Sequence, residues 1–213
     1  MAAPLFADAL VSYLDGLVPP RPPELERMEA YAREHDFPII GPASGQCCYL
    51  LARLAGARRI FELGSGFGYS TAWFARAVGE HGGGEVHHVV WDADLSARAR
   101  AHLEALGYAD IVRYHVGEAV QALRESTTTF DLVFLDIDKT GYPEAIPVIA
   151  GRLRRGGVLI VDNGLWSGRV FDGRDATPET LAIRETTRLL TTGREWVTTM
   201  VPVRDGLIIA MRA

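Results

Sequence analysis

The sequence predicts a single α/β domain built around a mainly parallel sheet. From residue 58 onward, short apolar segments such as RRIFEL, FDLVFLD and GVLIVD alternate with helical segments, a pattern typical of βαβ units whose strands are buried on both faces. The last two segments, EWVTTMVPV and LIIAMR, follow one another across a turn at 204–206 and therefore predict an antiparallel hairpin. We expect one domain over 1–213, with N-terminal helices over 1–56 and an α/β core over 57–213.

Three helices are expected before the core. Apolar residues at helical spacing cover 5–18, and the PPRPP of 19–23 ends that helix. A polar helix follows at about 24–35, and another runs from Ser44 to about Ala55. These segments precede the first predicted strand and carry none of the strand-end motifs described below.

The core elements follow in a regular order. The predicted strands are RRIFEL, VHHVVW, IVRYHV, FDLVFLD and GVLIVD, and the helices between them are TAWFARAV, SARARAHLEAL, EAVQALRE and EAIPVIAGRL. After them, 164–176 is rich in glycine and aromatic residues, which favours an active-site loop. A helix near 178–190 leads into the terminal hairpin.

Composition favours a soluble protein of the reducing cytoplasm. The chain is 48% hydrophobic and 23% charged with a formal net charge of -5, values that are ordinary for a globular domain and argue mildly against a nucleic-acid binder. Cys47 and Cys48 are adjacent, so no disulfide framework is expected. The N-terminus lacks the basic start of a signal peptide, and no apolar run approaches the roughly 20 residues that cross a bilayer. We therefore expect no contact with membranes.

Lysine and asparagine each occur once, and both follow predicted strands. Lys139 lies just after FDLVFLD and Asn163 just after GVLIVD. Arginine replaces lysine well in surface roles but cannot be deprotonated in proteins. The one lysine that remains is therefore a candidate for proton transfer, and the asparagine beside it is a candidate for the same site.

A glycine loop follows the first core strand, in FELGSGFGYS. Glycines at 64, 66 and 68 allow the backbone to approach a ligand, and the next helix begins there, which favours an anionic group. A dinucleotide fingerprint needs a small residue at 69, where Tyr69 stands, so the loop favours a ligand with a single carboxylate over NAD. Ser70 is placed to bind that carboxylate. Asp92, at the end of VHHVVWD, is a candidate for ribose binding.

Acids and an amide follow two further strands. Asp136 ends FDLVFLD, and Asp162 with Asn163 ends GVLIVD. Their oxygens are the ligands that Mg²⁺ prefers, and Lys139 would lie beside such a metal as a general base. The other interpretation stays open at this point: the aspartates cap helices and Lys139 forms a salt bridge.

Taken together, these motifs resemble a known family. FELGSGFGYS, D-x-D at 92–94, G-E-A at 117–119, FDLVFLDIDK, GGVLIVDNGLWSG and the late RDGL are similar to the cation-dependent class I O-methyltransferases, the group of the catechol and caffeoyl-CoA O-methyltransferases. The resemblance extends from about residue 38 to the end. It implies a Rossmann-like fold with a seven-stranded sheet and a reversed last strand, S-adenosylmethionine and Mg²⁺ as cofactors, and homodimers formed through the N-terminal helices.

The resemblance also implies residue roles. Lys139 would be the catalytic base beside Asp136, and Asp136, Asp162 and Asn163 would hold the metal. The residues implied for the cofactor are Glu62, Gly64 and Ser70 at the methionyl end, Asp92 at the ribose, Gly117 and Ala119 at the adenine, and Asp136 and Ile137 nearby. The resemblance also implies Trp166 near the methyl acceptor. Apart from the resemblance, Trp166, Phe171 and Ile39 or Ile40 are candidates for the walls around an aromatic ring, and the alternative, that they only pack the loop, stays open.

The preferred acceptor is a catechol-like small molecule, because its two vicinal oxygens could both coordinate the metal. A hydroxylated tRNA base is the alternative acceptor, for which RLRR at 152–155 or Arg58–Arg59 would provide a basic surface. A non-catalytic S-adenosylmethionine-binding protein is a third reading, which the complete acid, lysine and amide set disfavours. His87 and His88 are neighbours on one strand and are expected on opposite faces, so they do not predict a metal pair.

Overall fold

Helices occupy the first quarter of the described chain. The structure is a computed structural model that describes residues 6–213, and within that range α1 is Asp8–Gly16, α2 is Pro23–Glu34 and α3 is Gly41–Leu54. The helix predicted over 5–18 is therefore shorter, and its residue 5 lies outside the described residues. The helix predicted from Ser44 begins earlier because Pro42 is accommodated in the first turn, where its missing N–H costs no hydrogen bond.

Strands and helices then alternate as the sequence predicts. In chain order they are β1 Arg59–Leu63, α4 Tyr69–Glu80, β2 Glu85–Val90, α5 Ala93–Ala105, β3 Val112–Val116, α6 Ala119–Glu125, β4 Phe130–Leu135, α7 Tyr142–Arg152, β5 Leu153–Val161, α8 Pro178–Thr192, β6 Trp196–Val201 and β7 Leu207–Arg212. Short 3₁₀ segments at Lys139–Gly141 and Trp166–Phe171 follow β4 and β5.

The sheet has the predicted composition. Across residues 6–213 it contains seven strands in the order β3-β2-β1-β4-β5-β7-β6. Strands β1 to β5 pair in parallel, and β7 runs antiparallel to both β5 and β6. The mainly parallel sheet with a reversed last strand and a terminal hairpin is thus confirmed.

Both faces of the sheet are covered, and the side chains of each strand divide between them. In β1, Ile60 packs into a cluster with residues of α2 to α5, and Phe61 packs into a second cluster with residues of α6 to α8. The alternation follows from the period of two in a strand. Since both faces are buried, the strands read as continuous apolar runs.

The chain reverses its direction across the sheet between β1 and β4. It proceeds from β1 outward to β3 on one side, then returns to place β4 on the other side of β1. In doubly wound sheets a ligand crevice opens at such a point, outside the carboxyl ends of the strands. The glycine loop after β1 and the polar residues after β4 and β5 meet at this edge. Among the described helices none is both long and apolar enough to cross a membrane.

Candidate active site

A cavity of about 470 Å³ opens at the carboxyl ends of β1, β4 and β5. Its walls come from the α2–α3 connection, the glycine loop, the segments after β4 and β5, and the β6–β7 turn. The lining residues are Phe37, Pro38, Ile39, Ile40, Gly64, Ser65, Gly66, Phe67, Tyr69, Ser70, Asp136, Ile137, Lys139, Asp162, Asn163, Trp166 and Arg204. The strand-end residues singled out from two adjacent strands therefore share one cavity.

The glycine loop requires glycine where it passes the neighbouring strand. Gly64 has φ +86°, and a Cβ there would fall on the carbonyl oxygen of Asp136. Gly68 has φ +93° at the start of α4, where a Cβ would lie 3.0 Å from Ala99 Cβ. The loop therefore brings the N-terminus of α4, with Ser70, to the cavity wall, where a carboxylate would be favoured.

Tyr69, which argued against a dinucleotide fingerprint, has a structural role in this fold. Its ring is buried, and its hydroxyl donates to Glu29 Oε1 of α2 at 2.8 Å. Glu29 in turn pairs with Arg21 at 2.7 Å. The large side chain at position 69 thus ties the glycine loop to α2, a contact that a small residue could not make.

Glu62 lies just behind the cavity wall. Its side chain is fully buried and accepts a hydrogen bond from Thr71 Oγ1 at 2.5 Å, and that oxygen lies 3.1 Å from His88 Nδ1. Burial raises the pKa of Glu62 to about 7, an effect opposed by hydrogen bonds from Thr71, Ser70 and Ser65. The predicted contact of Glu62 with a cofactor stays a prediction, since Ser65 and Ser70 rather than Glu62 line the cavity.

Lys139 is held by three acceptors at the cavity floor. Its Nζ donates to Asp136 Oδ1 at 2.7 Å, to the carbonyl of Ile137 at 3.2 Å and to the hydroxyl of Tyr142 at 2.8 Å. The side chain is only 12% exposed. The salt bridge of the alternative interpretation is thus present, but the helix-capping role falls to Asp138, which accepts from Thr140 N.

Asp162 is the least compensated acid of the site. It is buried, and its Oδ1 has no hydrogen-bond partner among residues 6–213. Burial first, and then the negative charge of Asp136, raise the pKa of Asp162 to about 7. A buried carboxylate without a partner is costly unless a proton or a cation neutralises it.

Asn163 is oriented by a residue that the sequence analysis did not single out. Its backbone has φ +59°, a conformation that asparagine tolerates better than most residues. Its Nδ2 donates to Asp205 Oδ2 at 3.0 Å, and the other oxygen of Asp205 accepts from Ser167 N at 2.5 Å. Asp205 belongs to the RDGL motif, which could have pointed to it. Because Asp205 binds the amide nitrogen of Asn163, the amide oxygen is the atom that remains for a ligand.

These residues suit a divalent cation. In the part of the chain that the structure describes, no three His, Cys, Asp or Glu side chains cluster as a metal site, and the set here consists of two carboxylates and one amide. Asp136, Asp162 and Asn163 all line the cavity, and the unpartnered oxygen of Asp162 is an atom that a cation would satisfy. The chemistry of the donors therefore fits Mg²⁺, which prefers oxygen ligands.

Three of the residues expected to form walls around the acceptor line the cavity, and their contact with an acceptor stays a prediction. Ile39, Ile40 and Trp166 line the cavity, and Phe37 and Phe67 add aromatic surface that was not predicted. Phe171 is 68% exposed and is not among the residues that line the cavity, so its expected contact with an acceptor stays a prediction. Phe171 ends the 3₁₀ segment that begins at Trp166.

The residues expected around a ribose and an adenine lie outside this cavity. Asp92 Oδ1 accepts from the backbone N–H groups of Asp94 and Leu95 and so caps α5. Gly117 follows β3 and donates its N–H to Val90 O at 3.0 Å, and Ala119 is buried at the start of α6. All three lie at the carboxyl edge of the sheet, Asp92 after β2 and the other two after β3, and their nucleoside contacts stay predictions.

The basic residues considered for an RNA surface lie at the opposite edge. Arg59 begins β1, and Arg154 and Arg155 lie in the first half of β5. Arg154 pairs with Asp131 at 2.7 Å, and Arg58 donates to the carbonyls of Gly82 and Gly83 in the turn between α4 and β2. These arginines therefore do not flank the cavity.

His87 and His88 face opposite sides of the sheet, as expected. His88 packs beside Tyr114 with its Nδ1 near Thr71, while His87 stacks on Phe61. An unforeseen neighbour of His87 is His115, at 3.0 Å between ring nitrogens. Neither histidine lines the cavity.

Comparison with known proteins gives consistent matches over nearly the whole chain. The family model described as O-methyltransferase matches residues 23–213. The chain is similar to a catechol O-methyltransferase of Niastella koreensis, with 33% identity over 182 residues that cover 81% of each protein.

Solved structures give similar matches. The O-methyltransferase from Bacillus cereus in complex with SAH has a TM-score of 0.86 at 28% identity, covering 96% of this chain and 97% of that one. TomG from Streptomyces achromogenes, an O-methyltransferase involved in tomaymycin synthesis and solved in complex with SAM, has a TM-score of 0.85 at 29% identity, covering 96% of each chain.

Proposed function

The chain belongs to the O-methyltransferase family and is an S-adenosylmethionine-dependent enzyme, and on that premise we propose that it methylates a catechol-like small molecule with the help of a divalent cation. The family assignment agrees with the motif resemblance described above. The acceptor class and the cation are the new parts of the proposal.

One observation carries the proposal. Lys139 and Asp136 form a 2.7 Å pair in the wall of the same cavity as Asp162, whose buried Oδ1 lacks a partner among the described residues. The proposed reaction needs a base that deprotonates the hydroxyl, a role for Lys139. It also needs a cation that stabilises the resulting anion, and the uncompensated carboxylate of Asp162 would help to bind that cation. The similarity to a catechol O-methyltransferase supports the choice of a vicinal diol.

In the proposed reaction, Lys139 acts as the neutral amine, after its own proton has left to solvent, and its Nζ takes the proton of the acceptor hydroxyl. Asp136 and Tyr142 keep that nitrogen in place, and Ile39, Ile40 and Trp166 pack the aromatic ring of the acceptor. The acceptor oxygen forms the new C–O bond to the methyl group as the C–S bond of S-adenosylmethionine breaks and its sulfonium becomes a neutral thioether. The proton passes to solvent when the products leave.

The metal would be held by Asp136, Asp162 and Asn163. When bound, a divalent cation lowers the pKa of a hydroxyl that coordinates it and stabilises the phenolate. Asp205 contributes by fixing Asn163 through the 3.0 Å hydrogen bond to its amide nitrogen. Such outer contacts commonly decide how well a ligand set binds its metal.

The test is S-adenosylhomocysteine production from a panel of catechols, with Mg²⁺ and with chelator, for the wild type and for Lys139→Arg. Arginine keeps the positive charge but cannot act as a base. We expect turnover that requires the cation and falls by at least about a hundredfold in the variant, while S-adenosylmethionine binding is retained. Full turnover in chelator, or in Lys139→Arg, would contradict the mechanism, and turnover of none of the catechols would contradict the acceptor class.

A further inference from the structure

Arg204 lies in the β6–β7 turn and lines the wall of the cavity. Its backbone has φ +52°, and its Cδ and Nε lie 3.6 Å from the position that a Cβ on Gly41 would occupy, at the start of α3. Arg204 lines both the main cavity and a side cavity of about 70 Å³ between α1 and α3. The turn is fixed because Gly206 packs directly against Leu165, where a Cβ would lie 2.5 Å from Leu165 Cγ.

The guanidinium of Arg204 has no hydrogen-bond acceptor and no carboxylate within the 4.0 Å of an ion pair among residues 6–213. Asp162 forms no hydrogen bond with Arg204, but the positive charge of Arg204 lowers the pKa of Asp162 against the effect of burial. Two other acids nearby have other donors: Asp15 Oδ1 accepts from Ala43 N at 3.2 Å, and Asp205 accepts from Asn163 and Ser167. Lys139, the other cation of the cavity wall, is paired with Asp136. Arg204 is therefore the cation of this cavity that remains available to a ligand.

The surroundings of Arg204 fit an aromatic acid. Ile40 lies beside it in both cavities, and Trp166 and Phe37 complete an apolar wall that suits a ring. A guanidinium binds a carboxylate through two parallel hydrogen bonds. Ser44 lines the side cavity, and its buried hydroxyl, which has no partner within the described chain, offers one more donor.

We propose that Arg204 selects a methyl acceptor that carries a carboxylate on its dihydroxylated aromatic ring. This inference rests on the proposed function and narrows its acceptor to catechol-type acids. The carboxylate of S-adenosylmethionine is expected at a different wall, because the start of α4 and Ser70 lie at the glycine loop whereas Arg204 lies in the β6–β7 turn beside the start of α3.

The experiment compares 3,4-dihydroxybenzoate with 3,4-dihydroxybenzamide, which has the same shape but no charge. The wild type, Arg204→Gln, Arg204→Lys and the control Arg174→Gln are assayed for kcat/KM with both acceptors. Arg174 is a fitting control because its side chain is 92% exposed and pairs only with Asp172 among the described residues. Binding of the benzoate and of S-adenosylmethionine is measured by calorimetry for each variant.

We expect the wild type to prefer the benzoate by about tenfold, Arg204→Gln to lose that preference while keeping its activity on the amide, and Arg204→Lys to retain part of it. Arg174→Gln should match the wild type. Equal loss on both acceptors in Arg204→Gln, no preference in the wild type, or weaker S-adenosylmethionine binding in the variant would overturn the inference.

The calorimetry separates this inference from the function on which it rests. Benzoate binding that is weakened by Arg204→Gln, without turnover of any catechol, would support the role of Arg204 and contradict the proposed reaction. Turnover of both the benzoate and the benzamide at equal kcat/KM would support the proposed reaction and contradict the role of Arg204. Neither binding nor turnover would overturn both.

Discussion

Tyr142 shows how a single buried hydroxyl can set the position of a catalytic group. The side chain is fully buried, its oxygen accepts from Lys139 Nζ at 2.8 Å, and it lies 3.3 Å from the carbonyl oxygen of Asp162 and 3.4 Å from that of Leu135. The hydroxyl therefore links the base to the backbone of both strands that carry the proposed metal ligands. Burial and the nearby acids raise the pKa of Tyr142 well above its usual value, so the hydroxyl stays neutral and able to donate.

Removing that hydroxyl should slow the reaction without preventing folding. In Tyr142→Phe, Lys139 keeps Asp136 and the carbonyl of Ile137 as partners but loses its third. We expect kcat to fall by about tenfold with little change in the KM of the acceptor, the effect of losing one hydrogen bond to a charged group. The control is Tyr13→Phe, since Tyr13 lies on α1 and is 64% exposed. A kcat for Tyr142→Phe equal to that of the wild type would contradict the positioning role.

At the scale of elements, the site depends on how closely β1 and β4 approach each other. Asp136 N donates to Leu63 O at 2.8 Å, so the pairing of the two strands continues up to the first proposed metal ligand. Gly64 follows immediately, and the space its Cβ would need is taken by the backbone of Asp136. The glycine loop and Asp136 can therefore lie in contact only because residue 64 has no side chain.

A pair of glycine variants separates this contact from backbone strain. Gly64→Ala and Gly107→Ala both place a Cβ at positive φ, +86° and +81°, but only the first meets another backbone, since nothing lies within 4 Å of the second. Strain alone should lower the free energy of unfolding by about 1 kcal/mol in Gly107→Ala. Gly64→Ala should lose about 2 kcal/mol more, because β4 must shift to admit the methyl group. Urea unfolding measures both, and equal losses would show that the contact is not critical.

At the scale of the whole molecule, the sequence specifies the sheet better than the site. Hydrophobic periodicity predicts the strands, the hairpin and the reversed β7, and the convergence of strand ends places Asp136, Lys139, Asp162 and Asn163 together. The sequence pattern does not predict which hydrogen-bond partner each side chain has. The contacts of Tyr142 and Asp205 depend on packing between segments distant in sequence, and so does the exposure of Phe171.

Packing between the sheet and the helices also determines the protonation of Glu62. This acid points from the centre of β1 into the cluster formed with α2 to α5, and its Oε1 has no partner within residues 6–213. Burial raises its pKa to about 7 from an ordinary value of 4.5. The folded protein therefore holds a proton between pH 4.5 and 7 that the unfolded chain releases, so stability falls as pH rises through this range.

Glu62→Gln removes this proton uptake and should therefore remove the part of the pH dependence of the free energy of unfolding that is due to Glu62. A difference of about 2.5 pKa units corresponds to about 3 kcal/mol, fully present below pH 4.5 and lost as pH rises through 7. Asp162 is retained in both proteins, so its own raised pKa cancels when the free energies of unfolding of wild type and variant are subtracted at each pH. The wild type should thus lose about 3 kcal/mol relative to Glu62→Gln between pH 4.5 and 8, measured by urea unfolding without cofactor. Glu195→Gln, at an exposed glutamate before β6, should give a constant difference, and a constant difference for Glu62→Gln as well would mean that the buried acid is already ionised at low pH.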